Sequence, residues 1–177
     1  MNAPIAIRAS SYAPVAPDPV TFEITTRLAA PAGEVWARAV TFDGVNEELG
    51  PLLSMSRPHG VSHAMTIDDI PLGEPFGRCW IRLLRVLPLD YDDLCLSERG
   101  PGMRFLERSR LGSASSWQHE REVLAIGAAE CELTDRLELV PRAPLGALCL
   151  TPLAARIVRA LFTHRHRRLA GRWGHPL

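Results

Sequence analysis

The clearest pattern begins at Val20: Val20, Phe22, Ile24, Thr26 and Leu28 share one face of an extended chain, while Thr21, Glu23, Thr25 and Arg27 take the other. Successive side chains of a strand point to opposite faces, so this run predicts a half-buried strand over Val20 to Leu28. Pro31 suits a first helical turn, and Val35, Trp36, Ala39 and Val40 recur at helical spacing up to Gly44. A second short helix is expected from about Asp43 to Leu49, stopped by Gly50 and Pro51. Leu52 to Ser62, with Pro58 and Gly60, reads as loop.

Six further runs have strand character: His63 to Ile70, Gly77 to Leu87, Asp92 to Arg99, Met103 to Arg110, Trp117 to Ala125 and Ala129 to Val140. Short separators rich in Gly and Pro favour antiparallel neighbours, and with the first strand the total is seven. A connection from Pro141 to Gly146 leads to Thr151, which can cap a helix with Pro152 at its first position. Leu153, Ala154, Ile157, Val158, Leu161, Phe162 and Leu169 form its apolar stripe, and it ends near Gly171. The fold class is therefore α+β: a curved antiparallel sheet around a long C-terminal helix, with two short helices after the first strand.

The late strands carry the most information. Gln118, Glu120 and Glu122 are plainly outward, which turns Trp117, His119, Arg121 and Val123 inward. Glu130, Glu132, Thr134, Arg136 and Glu138 likewise leave Cys131, Leu133, Asp135, Leu137 and Leu139 on the inner face. One strand earlier Phe105 and Glu107 share that side. With a three-residue loop around Gly127, His119 falls opposite Asp135 and Arg121 opposite Leu133. Removing a charge from water costs several kcal/mol (of that order) unless it is paired or solvated. Glu107, His119, Arg121 and Asp135 on an apolar wall therefore imply either a network that orients the polar end of a ligand or a self-satisfied core network that pins strand register.

The order of elements, the motif Trp117-x-His119-x-Arg121, the Asp135-Arg136 pair and Phe162-x-His164-Arg165-His166 resemble the START/SRPBCC superfamily, the helix-grip fold of lipid-transfer domains and polyketide cyclases. They are similar in particular to SRPBCC domains fused to cell-division-inhibitor-like proteins. The likeness spans about Val20 to Leu169. It implies an apolar cavity between sheet and helix that takes a lipid, polyketide or isoprenoid-like molecule, and no single reaction. The residues expected to line it are Phe105, Glu107, Trp117, His119, Arg121, Asp135, Leu137, Leu161 and His164. No catalytic signature maps onto the chain, and no cofactor or metal is expected.

Composition narrows the picture. At 177 residues the chain suits one domain, expected over 20–172, with an arm over 1–19 and a tail over 173–177. No apolar run approaches the roughly 20 residues of a membrane span, and the first segment lacks a signal-peptide core, so a cytoplasmic protein is expected. Cys79, Cys95, Cys131 and Cys149 have no zinc or redox spacing and read as buried thiols. The chain lacks a glycine-rich phosphate loop and a nucleophile elbow. His164 and His166 lie about 200° apart on a helix and cannot chelate together; His164 is placed near the cavity mouth or on a backbone carbonyl, His166 in solvent. His59 and His63 are split by Gly60, and Asp90, Asp92 and Asp93 read as a solvated turn.

Net charge is zero, yet after Glu138 the chain has Arg142, Arg156, Arg159, Arg165, Arg167, Arg168 and Arg172 and no acidic residue. A solvated basic helix face, or weak contact with an anionic membrane or acidic partner, are both open; nucleic acid is not expected. Three functions stand: a carrier of a small hydrophobic molecule, a cyclase-, dehydratase- or hydrolase-type enzyme using His119 and Asp135 as acid and base, and an interaction module built on the C-terminal helix.

Overall fold

The computed structural model describes residues 19–62, 65–142 and 151–176. The expected N-terminal arm, Cys149, His63 and most of the Pro141–Gly146 connection lie outside them. Seven strands form one antiparallel sheet: β1 (Val20–Leu28), β2 (Leu53–Met55), β3 (Pro75–Leu83), β4 (Leu87–Arg99), β5 (Arg104–Leu111), β6 (Ala114–Gly127) and β7 (Glu130–Pro141). Their order is β1-β7-β6-β5-β4-β3-β2, so the first strand closes against the last. Helices α1 (Ala32–Ala39) and α2 (Phe42–Leu49) follow β1, and α3 (Thr151–Trp173) crosses the inner face.

Alternation in β1, β6 and β7 is as the sequence predicts, with Leu28, Trp117, Val123, Leu133, Leu137 and Leu139 buried. Two elements differ. Of the run expected from His63 to Ile70, the described residues 65–70 form no strand: Thr66 caps a 3-10 turn over Ile67–Asp69, its hydroxyl accepting from the Asp68 amide while the Asp69 carboxylate takes the Thr66 amide. The seventh strand is instead β2, inside the segment read as loop, where Leu53–Met55 pair with Ile81–Leu83 at the sheet edge. The aspartates from Asp90 to Asp93 do not form a turn but lie in β4, with Asp92 buried.

Two apolar clusters hold α3 on the sheet. Leu28, Val35, Val123, Cys131, Leu133 and Leu169 pack at its C-terminal end. Leu111, Trp117, Leu137, Leu139 and Phe162 pack at its middle, flanked by Val20, Phe22 and Val158. A third cluster of Ile67, Ile70, Leu96 and Phe105 lies under α1 and the 3-10 turn, with Trp36 against it. Gly44 matters to this arrangement because a Cβ there would stand 2.0 Å from the Arg38 carbonyl oxygen, so only glycine lets α2 turn tightly off α1.

The α3 stripe is rotated from its expected course. Leu153 and Ile157 are more than half exposed, whereas Phe162, Arg165, His166 and Leu169 are buried. The Phe162 ring meets Phe22, Trp117 and His119 at centroid distances of 6.1, 6.1 and 5.2 Å. Removing it leaves a hole that packed rings cannot close. Phe162→Ala is expected to lower stability by about 3–5 kcal/mol, measured by urea denaturation.

Candidate functional site

Asp135 sits at the centre of the inner face with no exposure, and it accepts four hydrogen bonds. Arg121 donates from Nε to Oδ1 and from a terminal nitrogen to Oδ2, both at 2.7 Å. His119 Nε2 donates to Oδ1 at 2.9 Å and His166 Nε2 to Oδ2 at 3.0 Å. A carboxylate has about four acceptor sites, so none is left for a guest. The other edge of Arg121 grips Glu48 in a bidentate pair at 2.8 and 3.0 Å, and Glu48 also accepts from Arg165 Nε at 2.9 Å. His166 Nδ1 shares a hydrogen bond of 2.8 Å with the Thr26 hydroxyl. Strands β1, β6 and β7 and helices α2 and α3 are thus tied by one buried network.

The register explains which strand positions meet. Arg121 pairs with Asp135 and His119 with Leu137, two residues from the expected pairing, because the turn falls later, at Ala128 and Ala129 with Gly127 opposite Glu130, and a register shift lies between Ala125 and Gly127. His119 reaches Asp135 diagonally instead.

Three members of the network were not legible as such. Glu48, Arg165 and His166 are 3–7% exposed, although charge type alone assigns them to solvent. The signal for the last two lies in α3 itself: the 3.6-residue repeat through Val158, Phe162 and Leu169 carries 165 and 166 inward. Glu48 shares a helical face with Gly44, which is also buried. Nothing in residue type separates it from Glu47, whose carboxylate lies outside with Arg38 and Arg172.

The wall continues from His119 toward β5 and β4. His119 Nδ1 faces Glu107 Oε2 as an ion pair at 3.8 Å. Glu107, Asp92 and Ser109 are all buried, and they lie within hydrogen-bonding reach of one another. Cys79 stands opposite Asp92 in the β3–β4 register, and burial pushes its thiol far up. No other described residue donates to Asp92 Oδ1 or Glu107 Oε1, and the two carboxyls are hydrogen-bonded to each other through the proton that Asp92 retains. Around them stand Phe105, whose ring lies 5.3 Å from that of His119, and Trp117 at 6.3 Å.

Charges alternate along this chain of groups. Burial works against every ion, but Arg121 and His119 hold the Asp135 carboxyl well below the usual carboxylate range. Against the same burial, Asp135 and Glu107 raise the His119 imidazole above its ordinary value, and His119 keeps Glu107 below its own. Asp92 comes last and is left the proton: burial and the Glu107 charge push it well above the carboxylate range.

The remaining expected positions are dispersed. Leu137 is buried in the core beside Phe162, and Leu161 is half-buried on α3. His164 Nε2 donates to the Gly50 carbonyl at 2.8 Å, fastening α3 to the end of α2. Two surface recesses lie away from the inner wall. One, of about 200 Å³, is lined by Arg38, Glu47, Arg168 and Trp173, the other, of about 370 Å³, by Trp80, Arg82, Arg85 and Val86. Among the described residues no group of three or more His, Cys, Asp or Glu is placed to hold a metal ion, and no helix is long and apolar enough to cross a membrane.

With this geometry in hand, comparison with known families is decisive on kinship. The family model described as Domain of unknown function (DUF8410) matches residues 26–173. The chain belongs to the DUF8410 family. No curated protein matches the sequence significantly. Among solved structures, this DUF8410 chain is similar to a START superfamily protein from Mycobacterium smegmatis, with a TM-score of 0.62 at 12% identity over 86% of this chain and 96% of that one. It is also similar to the Zhui aromatase/cyclase from Streptomyces sp. R1128, with a TM-score of 0.62 at 16% identity over 88% and 93% of the two chains. A third is protein CV1439 from Chromobacterium violaceum, with a TM-score of 0.61 at 15% identity over 88% and 99%. The DUF8410 fold is therefore of the START/SRPBCC type, and at these identities it is the fold that is shared. The narrower likeness to domains of cell-division-inhibitor-like proteins stays one of motifs.

Two outcomes are expected. Arg121→Met leaves Glu48 and Asp135 buried without their shared cation, and lowers stability by about 3–5 kcal/mol in chemical denaturation. Because the folded protein raises the Asp92 carboxyl above its unfolded value, stability falls as pH rises past about 4, where the unfolded chain releases that proton. Asp92→Asn removes that loss, so the variant is more stable than the parent near pH 7 and gains nothing near pH 3 (about these values) in urea titrations across that range. The raised His119 contributes stability below about pH 6.5 that is lost as pH climbs through its folded value, in parent and variant alike.

Proposed function

We propose that this DUF8410 protein binds a small apolar molecule bearing a hydrogen-bond-donating group, held against the inner wall under the first half of α3. The observation that carries the reading is the buried Asp92–Glu107 carboxyl pair, which shares one proton and whose oxygens Asp92 Oδ1 and Glu107 Oε1 accept from no other described residue, set in a wall of aromatic and aliphatic side chains. One proton between two carboxyls leaves buried acceptor positions open, and a guest's donor that fills one of them is favoured. Arg121, held by Asp135 and Glu48, and Asp135, held by Arg121, His119 and His166, set the shape and charge of the wall from behind. The aromatic body of the site comes from Phe105, Trp117 and Phe162. A lipid, a polyketide or an isoprenoid-like alcohol fits this description, and the START-type fold of the neighbours supports it at the level of architecture.

A second reading, an enzyme of cyclase, dehydratase or hydrolase type, gains from one observation. Both ring nitrogens of His119 face carboxylates, which suits a positioned imidazolium better than a free base. Asp92 keeps its proton above the usual carboxylate range beside the Glu107 carboxylate, the property of a general acid. Acid chemistry on this chain would therefore run through Asp92, with His119 and Asp135 behind it.

Binding of 1-naphthol and of naphthalene, followed by fluorescence alongside a panel of long-chain alcohols, tests the first reading. The naphthol is expected to bind more tightly, and Glu107→Gln to weaken it by about tenfold or more while leaving naphthalene unchanged, the loss of one charge-assisted hydrogen bond. Equal weakening of both probes, or no binding of any of them by the parent protein, would refute the assignment. Native mass spectrometry of protein from its own host, with extraction of what co-purifies, names the physiological guest.

A further inference from the structure

The β3–β4 hairpin breaks two rules of soluble hairpins at once. Its connecting residues Leu84 and Arg85 both have positive φ, 49° and 67°, where Asn or Gly is the usual choice because other side chains adopt that conformation at a cost. The side chains placed there are also turned to solvent: Leu84 is 61% exposed, Val86 77%, Leu87 56% and Leu89 55%. Leu52, itself 54% exposed, joins the same patch, since its carbonyl accepts from the Leu84 amide at 2.7 Å. Contiguous exposed aliphatic surface of this kind marks a contact. Nothing in the described fold requires it.

The chemistry beside the patch identifies the contact. Trp80, 40% exposed and edge-on to Tyr91, stands on the outer face of β3 with Arg82 and Arg85, around the recess of about 370 Å³. Neither Arg82 nor Arg85 forms an ion pair with a described residue, while the nearby Asp90 carboxylate is occupied by Ser113. An aliphatic tip, an aromatic ring above it and free guanidinium groups at the same level match the three layers of a bilayer interface: acyl chains, the interfacial zone and anionic headgroups. A second copy fits less well, because a two-fold contact through this tip would bring like-charged arginines together. On the basic helix α3, to which the sequence points for membrane contact, Arg165 is committed to Glu48, and Arg168 and Arg172 to Glu47, while Arg159 lies over the Phe22 ring. The exposed Arg156 and Arg167 form no ion pair with a described residue, so α3 is the surface that the test must set against the tip.

We propose that the tip formed by Leu52, Leu84, Val86 and Leu87, flanked by Arg82 and Arg85, docks this protein on an anionic lipid bilayer surface. The test is co-sedimentation of the full chain with phosphatidylcholine vesicles that contain or lack phosphatidylglycerol, across ionic strength. The parent protein is expected to partition onto the phosphatidylglycerol vesicles, and Leu84→Asp with Val86→Asp to reduce partition at least tenfold. Arg82→Gln with Arg85→Gln should weaken binding to anionic vesicles and flatten its salt dependence. Arg156→Gln with Arg159→Gln on α3 should leave binding unchanged. The four positions 82, 84, 85 and 86 are on the surface, and circular dichroism verifies that each variant folds. No partition by the parent, partition indifferent to the tip variants, loss through the α3 variants instead, or a dimer in solution that the tip variants dissolve would each overturn the proposal.

Discussion

Arg121 is gripped from both sides by carboxylates, Asp135 on the neighbouring strand and Glu48 on a helix far away in sequence, and the molecule is arranged around that clamp. Packed apolar groups of the same volume would often be as stabilising as such buried pairs, so the value of the clamp lies in what it fixes. It allows α2 one position, through Glu48, and α3 one rotation, through Arg165 and His166. An amphipathic helix on a smooth apolar sheet can slide and turn, whereas a guanidinium fork accepts only one approach. The clamp also propagates: with Asp135 held as an anion, His119 favours its charged form, Glu107 becomes an anion facing it, and Asp92 retains a proton. The polarity of the far wall is thus set by a guanidinium it does not touch.

The parts of this fold written in strict alternation were readable, and the reasons for the failures are specific. In β6 and β7 the outward run of glutamates leaves no doubt about which face is buried, so Trp117, His119, Arg121 and Asp135 were placed inward from sequence alone. Their pairing was not, since a turn centred later in the chain and the irregularity beside it at Ala125 and Gly127 shift every cross-strand partner. Charged residues elsewhere were read by type. Asp92 follows two residues after Asp90 in a run that looks solvated, and only the pleat of β4 turns it inward opposite Cys79. Of the other buried members, Glu48 had no placement from sequence, Arg165 was counted with a basic helix face and His166 was placed in solvent, and the structure buries all three. A buried cation demands a buried anion, so the inward Arg121 already implied a further carboxylate, but three-dimensional proximity decides which. Edge strand β2 is three residues long and draws its pairing from β3 rather than from any pattern of its own.

The inner wall therefore has two halves with different chemistry. Behind α3's C-terminal half every ionic group is answered by another, and the surface is closed by Phe162 and Leu169. Toward β4 and β5 two buried carboxyls, Asp92 and Glu107, share a single proton, and no other described residue donates to Asp92 Oδ1 or Glu107 Oε1. A core selected only for stability has no use for the second half. A binding wall does, because an acceptor left open inside an apolar site costs the empty protein something that a matching guest returns, while a guest without a donor returns nothing.

Strand β4, which carries Asp92 of this open half, also forms one arm of the exposed hairpin tip. Along β4, Leu87 and Asp92 are five residues apart, about 17 Å of extended chain. A bilayer seated on the tip would thus lie within one strand's length of the Asp92–Glu107 pair, about half the thickness of the membrane core. An apolar guest that dissolves in lipid and a wall that recognises its one polar group would then be neighbours, with little water between them to make the passage costly. The positive-φ turn at Leu84 and Arg85, the free arginines and the Asp92–Glu107 pair have no common structural purpose, and the proposed docking and binding would give them a shared one across β3, β4 and β5.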